Sequence, residues 1–182
     1  SGTEPAGRSR PMRRVRRPMA PGDYKVKIRS VKSGEESVYT YADLKLAGNQ
    51  KLPLAPGAYV VSAESPDHAD YMAGTSCADW ERPVYFGSVT KNVIKRTETQ
   101  VNDLVCTLAN IKTTVTLTQD LQELFMSDAE AETAGKEKLT VTLSVGDNRL
   151  VFDRAAADAG KAGYFKAVEA SNTVKVVLSG QY

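Results

Sequence analysis

An all-β fold, a β-sandwich accompanied by one or two short helices, is the architecture that these 182 residues predict. Apolar and polar side chains alternate with a period of two in segment after segment from Asp23 onward, which marks strands with one wet face. β-Branched residues and tyrosines are enriched in those segments, and Gly, Pro and Asn turn signals separate them. Helical periodicity is scarce. Many short strands between tight turns favour a sandwich, with a barrel as the alternative closure.

The first strand is the clearest. Tyr24, Val26 and Ile28 point one way and Lys25, Lys27 and Arg29 the other. The turn signal Ala55-Pro56-Gly57 then introduces a strand carrying Tyr59, Val61 and Ala63 on one face. Ile111, Thr113, Val115 and Leu117 alternate with Lys112, Thr114, Thr116 and Thr118. Leu139, Val141, Leu143 and Val145 form another series, and Val174, Val176 and Leu178 close the chain. Weaker strand signals lie at residues 38–41, 84–88, 93–96, 99–108, 150–152 and 164–168.

Two short helices are predicted. Residues 120–125 make about two turns that bury Leu121, Leu124 and Phe125. Residues 153–160 run from an N-cap acid, Asp153, to a glycine at the C-terminal end, Gly160. Residues 41–46 form a candidate turn. Residues 127–138, with Glu130, Glu132 and Gly135, read as a solvated loop.

The charge is unevenly placed. The chain carries 24 basic and 22 acidic residues, for a net charge of +2. Six arginines (Arg8, Arg10, Arg13, Arg14, Arg16 and Arg17) precede Asp23 against the single acid Glu4, so the remainder is mildly acidic. Residues 1–22 also hold four prolines and little core material, which predicts a disordered basic leader before one β-sandwich domain at 23–182. Three readings fit the arginine run. It is a solvated leader, a processing site for an arginine-specific protease at Arg13, Arg14, Arg16 and Arg17, or a non-specific anion binder. The fold itself carries no basic stripe interleaved with aromatics, so no nucleic-acid partner is expected. No run approaches the roughly 18 apolar residues of a membrane helix.

Catalytic material is thin. Gly74-Thr75-Ser76-Cys77-Ala78 falls one glycine short of a nucleophile elbow, and its flanks offer neither the strand nor the helix that presents such a serine. His68 lies eight residues from Ser76; the expectation is a loop serine and an exposed histidine. One histidine and two cysteines cannot make a four-ligand zinc site. Asp67 and Asp70 lack the glycine and glutamate of a calcium loop. No enzyme activity, cofactor or resident metal is expected. Cys106 shares a face with Leu104 and Leu108 and reads as a small buried hydrophobe, while Cys77 sits in a loop; whether the two pair is left open. Trp80, Tyr85 and Tyr71, with Phe86 nearby, are the candidate ligand or partner surface, since such side chains bury much area at low entropic cost. Glycan stacking is one use of that surface, and core packing is the alternative.

Three blocks carry a family resemblance. Leu54-Ala55-Pro56-Gly57-Ala58-Tyr59-Val60-Val61-Ser62-Ala63 contains G-x-Y-x-V-x-A. Trp80-Glu81-Arg82-Pro83-Val84-Tyr85-Phe86-Gly87-Ser88 contains P-x-Y-x-G-S. Val105-Cys106-Thr107-Leu108-Ala109-Asn110-Ile111-Lys112 contains C-x-L-A-N-x-K. In this order they resemble exported lipoprotein domains of Bacteroidales of unknown function, which are similar to fimbrillins, the pilin and adhesin subunits of those bacteria. The resemblance implies a Greek-key sandwich, transthyretin-like or immunoglobulin-like, at the outer membrane and cell surface. It implies other surface or pilus subunits as partners, and a lipid anchor on an N-terminal cysteine that this sequence does not contain. It transfers no catalytic residue. In fimbrillins an arginine- or lysine-specific protease releases the first strand, and the vacated groove accepts a strand from the next subunit. Cleavage in the arginine run here leaves the strand at 24–31 attached, so the chemistry fits that pattern and the position departs from it.

Overall fold

The computed structural model describes residues 19–46, 51–74, 77–168 and 172–182. Its strands, in chain order, are β1 (Lys25–Ser30), β2 (Glu36–Thr40), β3 (Gly57–Glu64), β4 (Ala78–Trp80), β5 (Tyr85–Val93), β6 (Thr107–Leu108), β7 (Ile111–Thr113), β8 (Thr140–Val145), β9 (Asn148–Asp153), β10 (Gly163–Phe165) and β11 (Lys175–Ser179). They form three antiparallel sheets, in the orders β2-β1-β3-β5-β6, β4-β10-β7 and β11-β8-β9. The result is all-β and sandwich-like.

Alternation becomes packing through register. In the first sheet Ile28, Val61 and Val89 stand side by side on three strands, as do Val26, Ala63 and Gly87. Val26, Val61 and Ala63 are the buried centre of that face, flanked by Leu44, Leu104 and Cys106. The third sheet repeats the device: Val141 faces Phe152, and Leu143 faces Leu150. Those four side chains, with Val145, meet Phe165 of the second sheet in the larger core. Burying a side chain such as Phe152 or Phe165 contributes about 1.5–3 kcal/mol.

The helices need correction. The described residues hold five short ones rather than one or two: α1 (Tyr41–Leu46), α2 (His68–Met72), α3 (Gln119–Glu123), α4 (Asp128–Ala134) and α5 (Arg154–Asp158). Helix α4 occupies the segment expected to be a solvated loop. Ser127 caps it in a reciprocal box with Glu130, Gly135 closes it in the left-handed region (φ 64°), and Ala131 is wholly buried beneath it. Helices α3 and α5 fall where the pattern placed them, capped by Thr118 and Asp153, but α3 ends at Glu123, and Leu124, expected to be buried, is 62% exposed because it lies past the helix end.

Several strands also differ from expectation: of residues 111–118 only Ile111–Thr113 form a strand, and of residues 93–96 only Val93, at the end of β5. Of residues 99–108 only Thr107 and Leu108 pair, because the preceding chain folds back across the inner face of the first sheet. Lys91 holds that loop through Asp103 (2.7 Å), and Thr99 Oγ1 donates to Asn92 O (3.2 Å). Strand β11 forms, yet its alternation buries nothing. Val176 and Leu178 sit on the core side, opposite Leu143 and Val141, but are 63% and 41% exposed because the strand lies at the sheet edge.

Candidate interaction surface

The segment between β3 and β5 carries most of the polar chemistry. Glu64 ends β3 on the outer face of the first sheet and is only 4% exposed. One carboxylate oxygen takes an ion pair from Lys27 (2.7 Å), and the other is held by His68 Nδ1. Burial pushes the Glu64 carboxyl up, but the hydrogen bonds from Lys27 and His68 together outweigh it and hold the group below the usual carboxylate range. The same contact raises the Lys27 ammonium. His68 lies flat on Phe86 with ring centroids 4.7 Å apart. It is therefore buried, contrary to the exposed histidine expected, because helix α2 turns it back onto the sheet four residues after its carboxylate partner. Ser76, the other half of the Ser/His idea, lies outside the described residues.

Arg82 organises the next stretch. Its guanidinium reaches Asp67 (3.1 Å), Asp70 (3.2 Å) and Asp79 (3.3 Å), so the two aspartates weighed for a calcium loop face an arginine instead. Burial lowers the guanidinium pKa, and the hydrogen bonds and charges of Asp67 and Asp79 more than reverse that, keeping it cationic. The Arg82 carbonyl accepts from Asn110 Nδ2 (2.8 Å), while Asn110 Oδ1 accepts from Val84 N (3.2 Å).

The candidate aromatics go to three places. Tyr71, on α2, is buried; its hydroxyl donates to Ala109 O (2.8 Å), beside His68. Tyr85 starts β5 with the inward parity of Gly87 and Val89, opposite in direction to Phe86, and is half-buried. Trp80 is half-buried on β4, edge-on to Phe152 (4.6 Å), with the Lys161 ammonium 4.2 Å over its ring. The three do not share one open face, because β4 belongs to a different sheet and Tyr71 and Tyr85 lie on opposite sides of the first. Arg13, Arg14, Arg16 and Arg17 lie outside the described residues.

Both cysteines are free thiols. Cys77 Sγ donates to Gly74 O (3.1 Å), and Cys106 Sγ points to Ala63 O (3.5 Å). Cys106 is half-buried, and burial pushes its thiol up. Among the described residues no group of three or more His, Cys, Asp or Glu side chains is placed to hold a metal, and no helix is long and apolar enough to cross a membrane.

The three sequence blocks prove to be neighbours. G-x-Y-x-V-x-A is β3, P-x-Y-x-G-S opens β5, and C-x-L-A-N-x-K spans β6 and β7. The adjacent strands β3, β5 and β6 of the first sheet carry them, with the third block running on into β7 of the second sheet. Gly87 admits the backbone of Val105 and Cys106, Tyr59 donates to Ala55 O (2.9 Å), and Asn110 clamps the crossing from the first sheet to the second.

These features define a β-rich, sandwich-like domain whose polar clusters tie its segments together. The chain belongs to the family described as Domain of unknown function (DUF4493), which matches residues 5–182. Comparison with curated proteins finds no match, and neither does comparison with solved structures.

Proposed function

We propose that this chain is a non-enzymatic structural or adhesive subunit of the cell surface, fimbrillin-like, that joins neighbouring subunits by β-strand addition. The observation that carries the reading is the edge strand β11. Val176, Val177 and Leu178 are consecutive and all substantially exposed, on both faces of the strand. Natural sheet edges are blunted by charge, proline or a covering element, and an apolar edge left open is a template for another strand. The likeness of the three blocks to exported Bacteroidales domains supports the surface setting, and the arginine run offers a protease the means to trigger assembly.

The test compares the parent with V176K/L178K, before and after an arginine-specific protease, by light scattering and electron microscopy. Assembly of the treated parent that the lysine variant loses is the expected result. Monomers throughout, or assembly indifferent to the two lysines, would refute strand addition at this edge.

A further inference from the structure

Among the described residues, Leu44 of α1 and Leu104 and Cys106 of the loop after β5 pack on the inner face of the first sheet. The loop that follows β5 folds back over it and leaves a cavity of about 1130 Å³. That is slightly above the roughly 300–1,000 Å³ typical of small-molecule sites. Its floor is the apolar row Val26, Ile28, Val61 and Ala63, and Leu104 and Cys106 form one wall. The lip is also apolar, with Ile94 63% exposed and Leu54 and Val101 exposed beside it. Isolated apolar side chains on a surface are ordinary, but these border one concavity.

The charge at the mouth has a sign. Among the described residues, four charged side chains line the cavity: Lys51, Lys95, Arg96 and Glu98. Lys51 and Glu98 neutralise each other at 2.9 Å. Lys95 and Arg96 remain, both exposed, in the bend closed by Thr97 N and Oγ1 on Ile94 O (3.2 and 2.9 Å). Arg96 adopts φ 61°, an uncommon backbone for a non-glycine residue, so this bend holds its cation in a costly conformation.

We infer that this cavity binds a long-chain carboxylate, with the alkyl chain on the Val26–Ile28–Val61–Ala63 floor and the carboxylate at Lys95 and Arg96. An alkyl chain gains about 0.8 kcal/mol for each methylene buried. A guanidinium and an ammonium at the opening suit a single carboxylate, the arginine as a planar fork and the lysine as a point charge. The site is separate from the β11 edge and does not depend on strand addition.

Cys106 supplies a reporter on the cavity wall. A C77S chain keeps that thiol alone and is titrated with cis-parinaric acid, whose fluorescence rises in an apolar site. Saturable one-to-one binding, displacement by laurate, and slowing of Cys106 alkylation by about tenfold are expected. Dodecanol, which has the chain without the charge, binds more weakly. K95E/R96E, at two exposed positions, keeps the thermal midpoint and lowers carboxylate affinity by about tenfold, or about 1.4 kcal/mol, with dodecanol unaffected. Absence of saturable binding, binding without protection of Cys106, or carboxylate affinity unchanged in K95E/R96E would each overturn the proposal.

Discussion

Gly87 lies directly beneath the backbone of Val105. A Cβ at Gly87 would collide with the Val105 carbonyl and stand 2.7 Å from its carbon and 3.1 Å from Cys106 Cα. The neighbour is main chain, so it cannot rotate aside as a side chain would. This contact is where the returning loop joins β5 and pairs as β6.

Gly87→Ala is therefore expected to destabilise the protein by about 1–3 kcal/mol, the usual cost of overpacking a filled site. For a chain of this size each kcal/mol lowers the thermal midpoint by about 2–4 °C. Circular dichroism melting checks it, and an unchanged midpoint would mean that the loop does not rest on Gly87.

Asn110→Ala removes both the donor to Arg82 O and the acceptor for Val84 N. Val84 is almost completely buried, so its amide has no route to water. An unsatisfied buried group costs about 1–3 kcal/mol. Urea unfolding should report a loss in that range, with amide exchange quickened at Val84.

Glu64 predicts an acid limb in the stability profile. Its carboxyl is held below the usual range in the folded chain, whereas an unfolded glutamate titrates near about 4.3. The unfolded state thus binds the proton more readily. The Lys27–Glu64–His68 cluster stabilises fully above that unfolded value, and the contribution is lost as pH falls through the lower folded one. Asp103 and Glu130 are lowered as well, so the parent profile includes them. The difference between parent and Glu64→Gln isolates the cluster. The variant should be less stable by about 1–3 kcal/mol at neutral pH, with the gap closing on acidification. A gap independent of pH would contradict the ion pairs.

Ser127→Ala removes the hydroxyl that accepts from the Glu130 amide (3.2 Å) and donates to the Glu130 carboxylate (2.9 Å), leaving only the bond from the Ser127 amide to that carboxylate. The expected loss is about 1 kcal/mol. Because Ala131 anchors the helix, amide exchange across 128–134 should rise more than exchange in β8.

The β architecture was legible because side-chain alternation is a property of each segment by itself. β1, β3, β8 and the Asp153 cap all follow from residues within a turn or two of one another, whereas Thr118, read as part of a strand, caps α3. Helix α4 was missed: Ser127 and Glu130 stand at the spacing of a capping box, but the polar composition of the segment made it read as a solvated loop. The polar cluster at Glu64 was not legible. His68 and Lys27 are ordinary surface residues in a sequence, and only the pairing of β1 with β3, together with the turn of α2 onto the sheet, brings them to one carboxylate.

From its residues alone this chain was committed to short amphipathic strands, to the directions in which their side chains point, and to a charge imbalance between its first 22 residues and the rest. What each face meets was decided only by the tertiary structure. Val141 and Val176 carry the same local pattern, yet one lies in the core and the other at an open edge. On the sheet of β1 and β3, the apolar face meets Leu44 of α1, the loop carrying Leu104 and Cys106, and a cavity. Alternation specifies that a face is apolar; which surface covers it depends on contacts between segments far apart in the chain, and no local pattern encodes those.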